Sequence, residues 1–319
     1  SLRHSYVPRA PATVLGAMGR VWASFAAQVP VLKDQIGASD AAFGLIFLIS
    51  SLGGFTAMWL APIVDRHLGY LSVLTANVLL AISVLVPAIS TDAIVFAIGL
   101  LLASAASGVG DVLMNARISE IEESHGRSLM NLNHATYSFA YAGSAVLTGL
   151  LRESGWGPLP VFSVVLLVTL VLAPVMRIAP KVSEPDEESG SNNAHSVFVW
   201  LTGGVVLVAF MAEQAVEGWS ALHLERTLGG GAAEGARGPA ILVLTMGFGR
   251  LFGQYVAQRV SDLALIASAC LVSAFGVALA ALAQTLALAY LGFAIMGLGI
   301  SVVIPLTMAL VGRTVPKHE

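Results

Sequence analysis

Five charged residues stand inside long apolar stretches of this chain: Arg20, Asp111, Glu213, Glu217 and Arg250. A charge at the centre of a bilayer costs roughly 3 kcal/mol, so leaving all five in lipid would cost about 15 kcal/mol, comparable to the net stability of a whole domain. We therefore expect these side chains to face protein or water. A carboxyl group that is partly withdrawn from water can bind and release a proton, and a nearby arginine can pair with it.

Composition places these charges in a membrane protein. Apolar residues make up 56% of the 319 residues and charged residues only 11%, and the mean hydropathy is +0.82, whereas soluble domains carry about 25% charged residues. The net charge of -3 and the lack of a basic patch argue against nucleic acid as a partner. The single cysteine, Cys270, cannot form an intrachain disulfide.

Ten apolar blocks are long enough to cross a bilayer, which takes about 20 residues of helix. The blocks are apolar all round, unlike the alternating pattern of barrel strands, so we predict an all-α polytopic membrane protein. The blocks run approximately over residues 11–32, 41–63, 70–90, 93–116, 130–151, 158–177, 196–222, 238–258, 263–283 and 286–311.

The apolar blocks repeat along the chain. The tripeptide Phe-Ala-Ile at 96–98 recurs 197 residues later at 293–295. Such a long period indicates a duplicated domain of several helices, and two such halves are a common plan of secondary transporters. The counterparts of the blocks at 130–151 and 158–177 would fall beyond Glu319. We therefore expect the last two of twelve helices to be missing from this sequence; a divergent ten-helix relative is the alternative.

A polar stretch divides the chain in two. Residues 178–195 are rich in Pro, Ser, Gly, Asn and acidic residues, which indicates a flexible linker. It separates an amino-terminal bundle of six helices, 1–177, from a carboxy-terminal bundle of four, 196–319. If the amino terminus is cytoplasmic, the inner loops hold ten Lys and Arg residues and the outer loops hold four, so we expect the linker and both termini inside.

Six crossings, a cytoplasmic linker and further crossings, with Asp65 and Arg66 between the second and third, together resemble the major facilitator superfamily. The resemblance extends over the whole chain. The loop signature of that superfamily reads Gly-x-x-x-Asp-Arg, and here Ala61 stands in place of the glycine. The resemblance implies a two-domain helical bundle. It also implies a gating role for Asp65 and Arg66, with Arg259 at the corresponding loop of the second half.

A narrower likeness is found in the fourth and fifth crossings. Asp111, followed four residues later by Asn115, is similar to the fucose-proton symporter branch of the superfamily and to uncharacterised bacterial inner-membrane relatives. The resemblance implies proton coupling through Asp111 and an inner-membrane location. The symporter's acid on the first crossing has no counterpart here, and the Gly-Pro signature of drug-proton antiporters is absent from the fifth crossing. Further residues that look like those relatives are His134, Tyr137, Glu213 and Trp219.

Three carboxyls are candidates for proton coupling. Asp111 lies six residues from Arg117, which places it about 9 Å inside the inner boundary at the rise of an α-helix. Glu213 and Glu217 stand one turn apart and would repel each other if both were ionised, which favours a proton on one of them. The alternatives are a structural bond from Asp111 to a helix end or to Arg117, and solvation of Glu217 near the outer surface.

The repeat predicts a partner for Arg20. The residue 197 positions later is Glu217, and matching positions of two related halves face each other across a central cavity. We therefore expect Arg20 to pair with Glu217, or with Glu213 one turn below, and so to hold one state of a transporter closed. The alternative is an Arg20 that snorkels or is satisfied within its own half. Arg250, which follows Gly249, is interpreted as structural.

Rings and hydroxyls on the fifth crossing share one helical stripe, formed by His134, Tyr137 and Tyr141. Such groups suit a sugar-like or other polar organic ligand, by stacking and hydrogen bonding. Helix packing is the alternative. The full set of candidates for a substrate cavity is Arg20, Trp22, Asn115, His134, Tyr137, Tyr141 and Trp219.

These observations predict a secondary active transporter that moves a small polar solute by alternating access and is coupled to protons. A drug-type exporter, an uncoupled facilitator and a transport-inactive sensor or scaffold are the alternatives; an enzyme is not expected. The sequence has no phosphate loop, metal-ligand cluster or nucleophile triad, so no cofactor or metal is expected. The expected partners are the solute, protons and the lipid bilayer, and the expected state is a monomer.

Overall fold

A computed structural model describes residues 9–125, 129–179 and 197–314. In these ranges the chain forms eleven α-helices and no strand. Apart from its first two residues, the linker predicted at 178–195 lies outside the described residues. The helices are α1 Arg9–Gln35, α2 Asp40–Leu68, α3 Ser72–Ser83, α4 Leu85–Ile89, α5 Ala93–His125, α6 Met130–Glu153, α7 Pro158–Leu172, α8 Val197–Leu222, α9 Ala232–Ala257, α10 Asp262–Ala281 and α11 Leu286–Thr314.

The eleven helices make ten crossings, because α3 and α4 share one. Pro87 has no N–H group to donate to the carbonyl of Ser83, and the helix is interrupted at Val84. Among the described residues, six crossings precede the linker and four follow it. The fold class predicted from the apolar blocks, an all-α polytopic bundle of six plus four helices, is confirmed.

Six helical segments of the described chain are long and apolar enough to span a bilayer, and one of them, Asp40–Ile89, contains α2, α3 and α4. The long helices outside this set are α1, α6 and α9. These three lie together in the middle of the protein, with α6 packed against both α1 and α9. A helix that has protein on most of its sides need not be apolar all round, so the central helices can carry small and polar residues.

The helices alternate in direction, which gives the bundle two ends. The linker end contains the turns at 69–71 and 177–179, which are joined by a backbone hydrogen bond from Ile178 to Tyr70. The opposite end contains the segments 36–39, 154–157 and 223–231. Because α1, α6 and α8 all begin at the linker end, positions along these helices can be read directly as depth.

The seam between the two halves consists mostly of alanines. It is a cluster separate from the cores of the halves, and α6 and α9 pack closely beside it. A Cβ added at Gly149 would lie 2.6 Å from the Cβ of Ala236. Such close packing of small side chains is a common way to join helices in membranes. The buried residues of the seam are Ala23, Ala26, Tyr141, Ala142, Ala145, Ala240 and Val243.

Candidate functional site

Polar side chains of α5 and α6 meet between the middle of the bundle and its linker end. His134 Nε2 lies 3.2 Å from Asn115 Oδ1. Asp111 stands one turn before Asn115 on α5 and lies beside its side chain. The structure therefore brings together three of the residues that the sequence singled out, and they come from two helices of the first half.

Arg250 of α9 reaches this group from the second half. Its guanidinium is within electrostatic range of Asp111, His134 and Glu213. From the sequence alone, Arg250 is interpreted as structural, with no connection to these side chains. The structure adds it to them, so both halves contribute charge to the same place.

The packing of α9 explains the direction of Arg250. Gly247 faces α6, where an added Cβ would lie 2.6 Å from the Cβ of Ser138, and Gly249 faces Ser301 of α11. Arg250 lies between these two directions around the helix, since each residue turns the chain by about 100°. It therefore points into the bundle. The flanking glycines were the sequence signal that this stretch of α9 is enclosed by protein.

Glu213 and Glu217 of α8 face the tyrosines of α6, nearer the opposite end. The rings of Tyr137 and Tyr141 have centroids 5.9 Å apart. The Tyr141 hydroxyl is buried beside the Glu217 carboxyl but closes no hydrogen bond of good geometry with the described residues. Tyr137 is within electrostatic range of both glutamates and of Asp111, so it connects the two sets of polar groups.

Exposure falls along the face of α6 that meets the second half. His134 and Tyr137 are partly exposed, whereas Tyr141 and Ala145 are completely buried and Gly149 is packed against α9. Since α6 runs from the linker end to the opposite end, this stripe of α6 becomes more buried in that direction, whereas the direct contact of α6 with α9 is already close at Ser138 and Gly247.

Charged residues join the halves at the opposite end. Arg152, in the last turn of α6, donates to both carboxylate oxygens of Glu225 at 2.7 and 3.0 Å and to the carbonyl of Ala27 at 2.6 Å. A more exposed ion pair joins Asp34 to Arg226. Sequence reasoning missed these contacts. Their partners are 73 and 192 residues apart and lie in or beside loops, where no periodic pattern relates them.

The two tryptophans of the predicted cavity belong to an aromatic cluster. Trp22 Nε1 donates to Ser107 Oγ of α5 at 2.8 Å. Trp219 of α8 lies edge-on to Phe43 and Phe47 of α2, with ring centroids 6.1 and 6.2 Å away. Trp219 therefore fills the space between α8 and α2 on the opposite-end side of the glutamates.

Arg20 does not form the predicted ion pair with Glu217 or Glu213. A Cβ added at Gly16 would lie 3.7 Å from Arg20 Nη1 and 3.9 Å from Thr136 Cγ2, so the guanidinium lies toward the groove between α1 and α6. Its Nε and Nη2 have no hydrogen-bond partner among the described residues. Thr136 is displaced around α6 by about 100° from the tyrosine stripe. The prediction was wrong because the repeat offset gives the depth of a residue along its helix but leaves its rotation undetermined.

The loop signature forms a buried ion pair within the first half. Asp65 accepts two hydrogen bonds from Arg117 Nη2, at 2.6 and 2.8 Å, and one from Ser72 Oγ at 2.8 Å. Arg117 is only 3% exposed, and its guanidinium pairs with Asp65 and Glu120. The predicted bond from Asp111 to Arg117 is not formed. The other residues assigned to the gating loops, both exposed, are Arg66 and Arg259.

The chemistry available to these groups is ionic and hydrogen-bonding. Three carboxyls, one guanidinium, one imidazole and two phenols lie on four helices, α5, α6, α8 and α9. They can exchange protons, pair with a charged solute or hydrogen bond a polar one. No group of three or more His, Cys, Asp or Glu that could hold a metal ion occurs in the part of the chain that the structure describes.

Comparison with known proteins agrees with this architecture. The family model described as Major Facilitator Superfamily matches residues 10–319. An uncharacterised MFS-type transporter of Yersinia pestis is 28% identical over 300 residues, which cover 91% of this chain and 76% of that relative. The similarity therefore extends over both halves and the segment between them.

Solved structures share the fold. The nucleoside transporter NupG superposes with a TM-score of 0.72 at 12% identity, over 97% of this chain and 83% of that one. FucP, a Major Facilitator Superfamily transporter solved in the outward conformation, superposes with a TM-score of 0.56 at 17% identity, over 96% and 90% of the two chains. At these identities the likeness concerns the fold alone. With the family model matching nearly its whole length, the chain belongs to the Major Facilitator Superfamily.

Proposed function

We propose that this chain is a proton-coupled secondary active transporter that carries a small polar solute, sugar-like or otherwise organic, by alternating access. The observation that carries the proposal is the polar group at mid-depth, to which both halves contribute: Asp111 and His134 from one, Glu213 and Arg250 from the other. A solute bound there would contact both halves at once. Rocking of one half against the other would then expose it to each side in turn.

The moving units are the halves 1–177 and 196–319, joined by the linker at 178–195. The fall in exposure along α6 supports a state that is closed at the opposite end and open at the linker end. Transport then requires the opposite-end contacts to break while the linker end closes. Asp65, Arg66 and Arg259 are the residues we assign to that closure.

Asp111, Glu213 and Glu217 are the proposed proton-binding groups. Arg250 is within range of Asp111 on the first half and of Glu213 on the second. A proton taken up by one of these acids weakens its attraction for Arg250 and leaves the arginine to the other. Since the acids belong to different halves, protonation would change how strongly the halves are held together.

The remaining polar groups are proposed to contact the solute. Hydroxyl, amide and imidazole groups give a sugar-like ligand both donors and acceptors, and the rings supply flat apolar surfaces. Arg20 is left out of this set because it faces the groove between α1 and α6. The proposed contact residues are Asn115, His134, Tyr137 and Tyr141, with Trp22 and Trp219 on the closed side.

We propose a bacterial-type inner membrane as the location, with the linker end and both termini in the cytoplasm. The excess of Lys and Arg in the loops of the linker end supports this orientation. A monomer suffices, because the polar group is built from the two halves of one chain.

The test is uptake by the full-length protein in liposomes, with sugars, organic acids and lipophilic cations offered with and without a proton gradient. We expect one class to accumulate and the accumulation to disappear when an ionophore removes the gradient. The Asp111→Asn and Glu213→Gln variants should lose accumulation, and Gln214→Ala, an exposed neighbour on α8, should keep it. Uptake that ignores the gradient would support an uncoupled facilitator, and flux of lipophilic cations alone a drug-type exporter. A folded protein that carries nothing would support the sensor or scaffold.

A further inference from the structure

The acids of the polar group outnumber its cations. Asp111 and Glu213 share the field of Arg250, whereas Glu217 has no cationic partner in the described part of the chain. Arg20, which the sequence repeat matches to Glu217, points into the groove between α1 and α6. One carboxyl between the halves is therefore left without a counter-charge.

The surroundings of Glu217 are suited to a cation. The hydroxyl group of Tyr141 lies beside its carboxyl group, and the ring of Tyr137 lies next to that of Tyr141 at a centroid distance of 5.9 Å. The Tyr141 hydroxyl is buried and has a free acceptor position, since no described group completes a hydrogen bond with it. Glu213, one turn away, repels Glu217 when both are ionised, and a cation bound between them would relieve this repulsion. Aromatic faces and unpaired carboxylates both attract ammonium groups.

We propose that Glu217, Tyr137 and Tyr141 form a subsite for a primary ammonium group, so that the transported solute is a small polar amine. This inference rests on the proposed transport function and names its substrate class. An ammonium group has three N–H donors, which the Glu217 carboxylate and the Tyr141 hydroxyl can accept. The rest of the solute would extend toward the linker end, where Asn115 and His134 offer hydrogen bonds.

Electrostatics rank the other solute classes below an amine. A carboxylate at this place would stand against Glu213 and Glu217, and like charges repel strongly where water is excluded. A neutral hydroxyl group on the solute would leave the negative charge of the Glu217 carboxylate uncompensated. Arg250, the cation of the group, already lies in the field of both Asp111 and Glu213, which weakens its attraction for an acidic solute.

The experiment compares trios of solutes that differ in one group: an ammonium, a hydroxyl or a carboxylate on the same skeleton. Glucosamine, glucose and glucuronate form one trio, and ethanolamine, ethylene glycol and glycolate form another. Binding is measured by thermal shift and competition on purified full-length protein in detergent. We expect the amine of at least one trio to bind about ten-fold more tightly than its hydroxyl partner, the gain of one charge-assisted hydrogen bond, and the carboxylate to bind most weakly.

Variants of α8 test whether the preference for the amine depends on the side chain of Glu217. Glu217→Gln should remove the preference for the amine, and Glu217→Asp should retain part of it, which shows that a lost preference is not lost folding. Gln214→Ala, an exposed change on the same helix, should leave the preference intact. The gel-filtration profile of each variant gives an independent check of folding.

Three results would overturn the subsite: equal or weaker binding of the amine in every trio, a preference for the carboxylate, or an ammonium preference that survives in Glu217→Gln. Failure of the proposed transport function has a different signature. In that case the wild-type protein would bind amines in a Glu217-dependent way and yet carry none of them across a liposome membrane.

Discussion

The two ends of the bundle are held in different ways. At the opposite end, the ion pair between Arg152 and Glu225 and the packing of Trp219 on α2 cross from one half to the other. At the linker end, the buried ion pair between Asp65 and Arg117 stays within the first half. Contacts of the first kind must break when the halves rock, whereas contacts of the second kind can move as part of a rigid unit.

This difference indicates where the cost of transport lies. The side chains of Arg152 and Glu225 are 6% and 12% exposed, and separating a buried ion pair so that its charges stay buried costs about 3–5 kcal/mol. A solute that contacts both halves near mid-depth can offset part of this cost. In the proposed transport cycle, the opposite end is therefore the gate that has to open, and the following variants should change its opening to different extents.

Removing Arg152 should have the largest effect. Arg152→Ala leaves Glu225 buried without its partner, which destabilises the closed opposite end by about 3–5 kcal/mol and shifts the ratio of closed to open molecules by at least about 100-fold. Labelling of single cysteines at the opposite end with a membrane-impermeant thiol reagent measures the shift. The exchanged pair Arg152→Glu with Glu225→Arg should recover part of the closed population.

A pair at the same end that does not cross the seam provides the control. Lys33 contacts Asp40 at 2.8 Å within the first half and borders a cavity that Trp219 and Arg226 of the second half also line. Because Lys33→Ala breaks no ion pair between the halves, it should change labelling much less than Arg152→Ala does. If Lys33→Ala increases labelling at the opposite end as much as Arg152→Ala does, contacts within one half close that end as strongly as contacts between the halves, and the distinction drawn above is wrong.

Asp65→Asn should have the next largest effect. It should lower the stability of the first half and leave the closure of the opposite end unchanged. The variant loses charge-assisted hydrogen bonds to Arg117, which destabilises the first half by about 1.5–3 kcal/mol. The melting temperature should fall while thiol labelling at the opposite end stays unchanged. Ser72→Ala, which removes a single hydrogen bond from a hydroxyl group to the same carboxylate, should lower the melting temperature less. Increased labelling at the opposite end would mean that the two ends are coupled through the first half.

Replacing Gly149 with a larger residue should separate α6 from α9 beside the seam. A Cβ at this position would lie 2.6 Å from the Cβ of Ala236, so Gly149→Leu overpacks the contact of α6 with α9 at a cost of about 1–3 kcal/mol. We expect faster labelling at the opposite end and partial recovery with Ala236→Gly. Gly143→Leu is the matched control, since it lies on the same helix with open space around it. Equal effects of the two leucines would contradict the assignment of the seam.

Trp219→Leu should have the smallest effect. The variant loses two edge-on contacts, with Phe43 and Phe47, each worth about 0.5–1.5 kcal/mol beyond its buried area. Leucine keeps part of the buried apolar area, so we take the low end of this range, about 1 kcal/mol in total, and expect labelling at the opposite end to accelerate about five-fold. Trp200→Leu changes a tryptophan that is 72% exposed on the same helix and should leave the labelling rate as in the wild type. A larger effect at Trp200 would show that Trp219 is not part of the closure.

The crossings could be predicted from the sequence because the demand of the bilayer is local. Each crossing needs its own run of about 20 apolar residues, and every predicted block corresponds to a helical crossing. The break at Val84 was not predicted, although Pro87 gave the signal for it. The polarity of α1, α6 and α9 is explained by their central position, which only the packing reveals.

The polar group could be predicted in part. Spacings of three and four residues place Asp111 with Asn115, and Tyr137 with Tyr141, on common helix faces, and the structure agrees. The predicted ion pair of Arg20 with Glu217 was wrong. The direction in which a side chain points around its helix is set by packing against neighbouring helices and not by the sequence repeat. The contacts of Arg152 could not be predicted from the sequence, because they depend on how the two halves pack against each other.

The central claim is that the polar group at mid-depth is reached from the linker end and sealed at the opposite end. The direct measurement is labelling of Asn115→Cys by a membrane-impermeant thiol reagent, in right-side-out and inside-out vesicles. The exposed Cys270 is first changed to Ser. We expect labelling from the linker end to be at least about ten-fold faster, because a competing state a few kcal/mol away is populated at 10% or less. Equal rates from both sides, or faster labelling from the opposite end, would contradict the account.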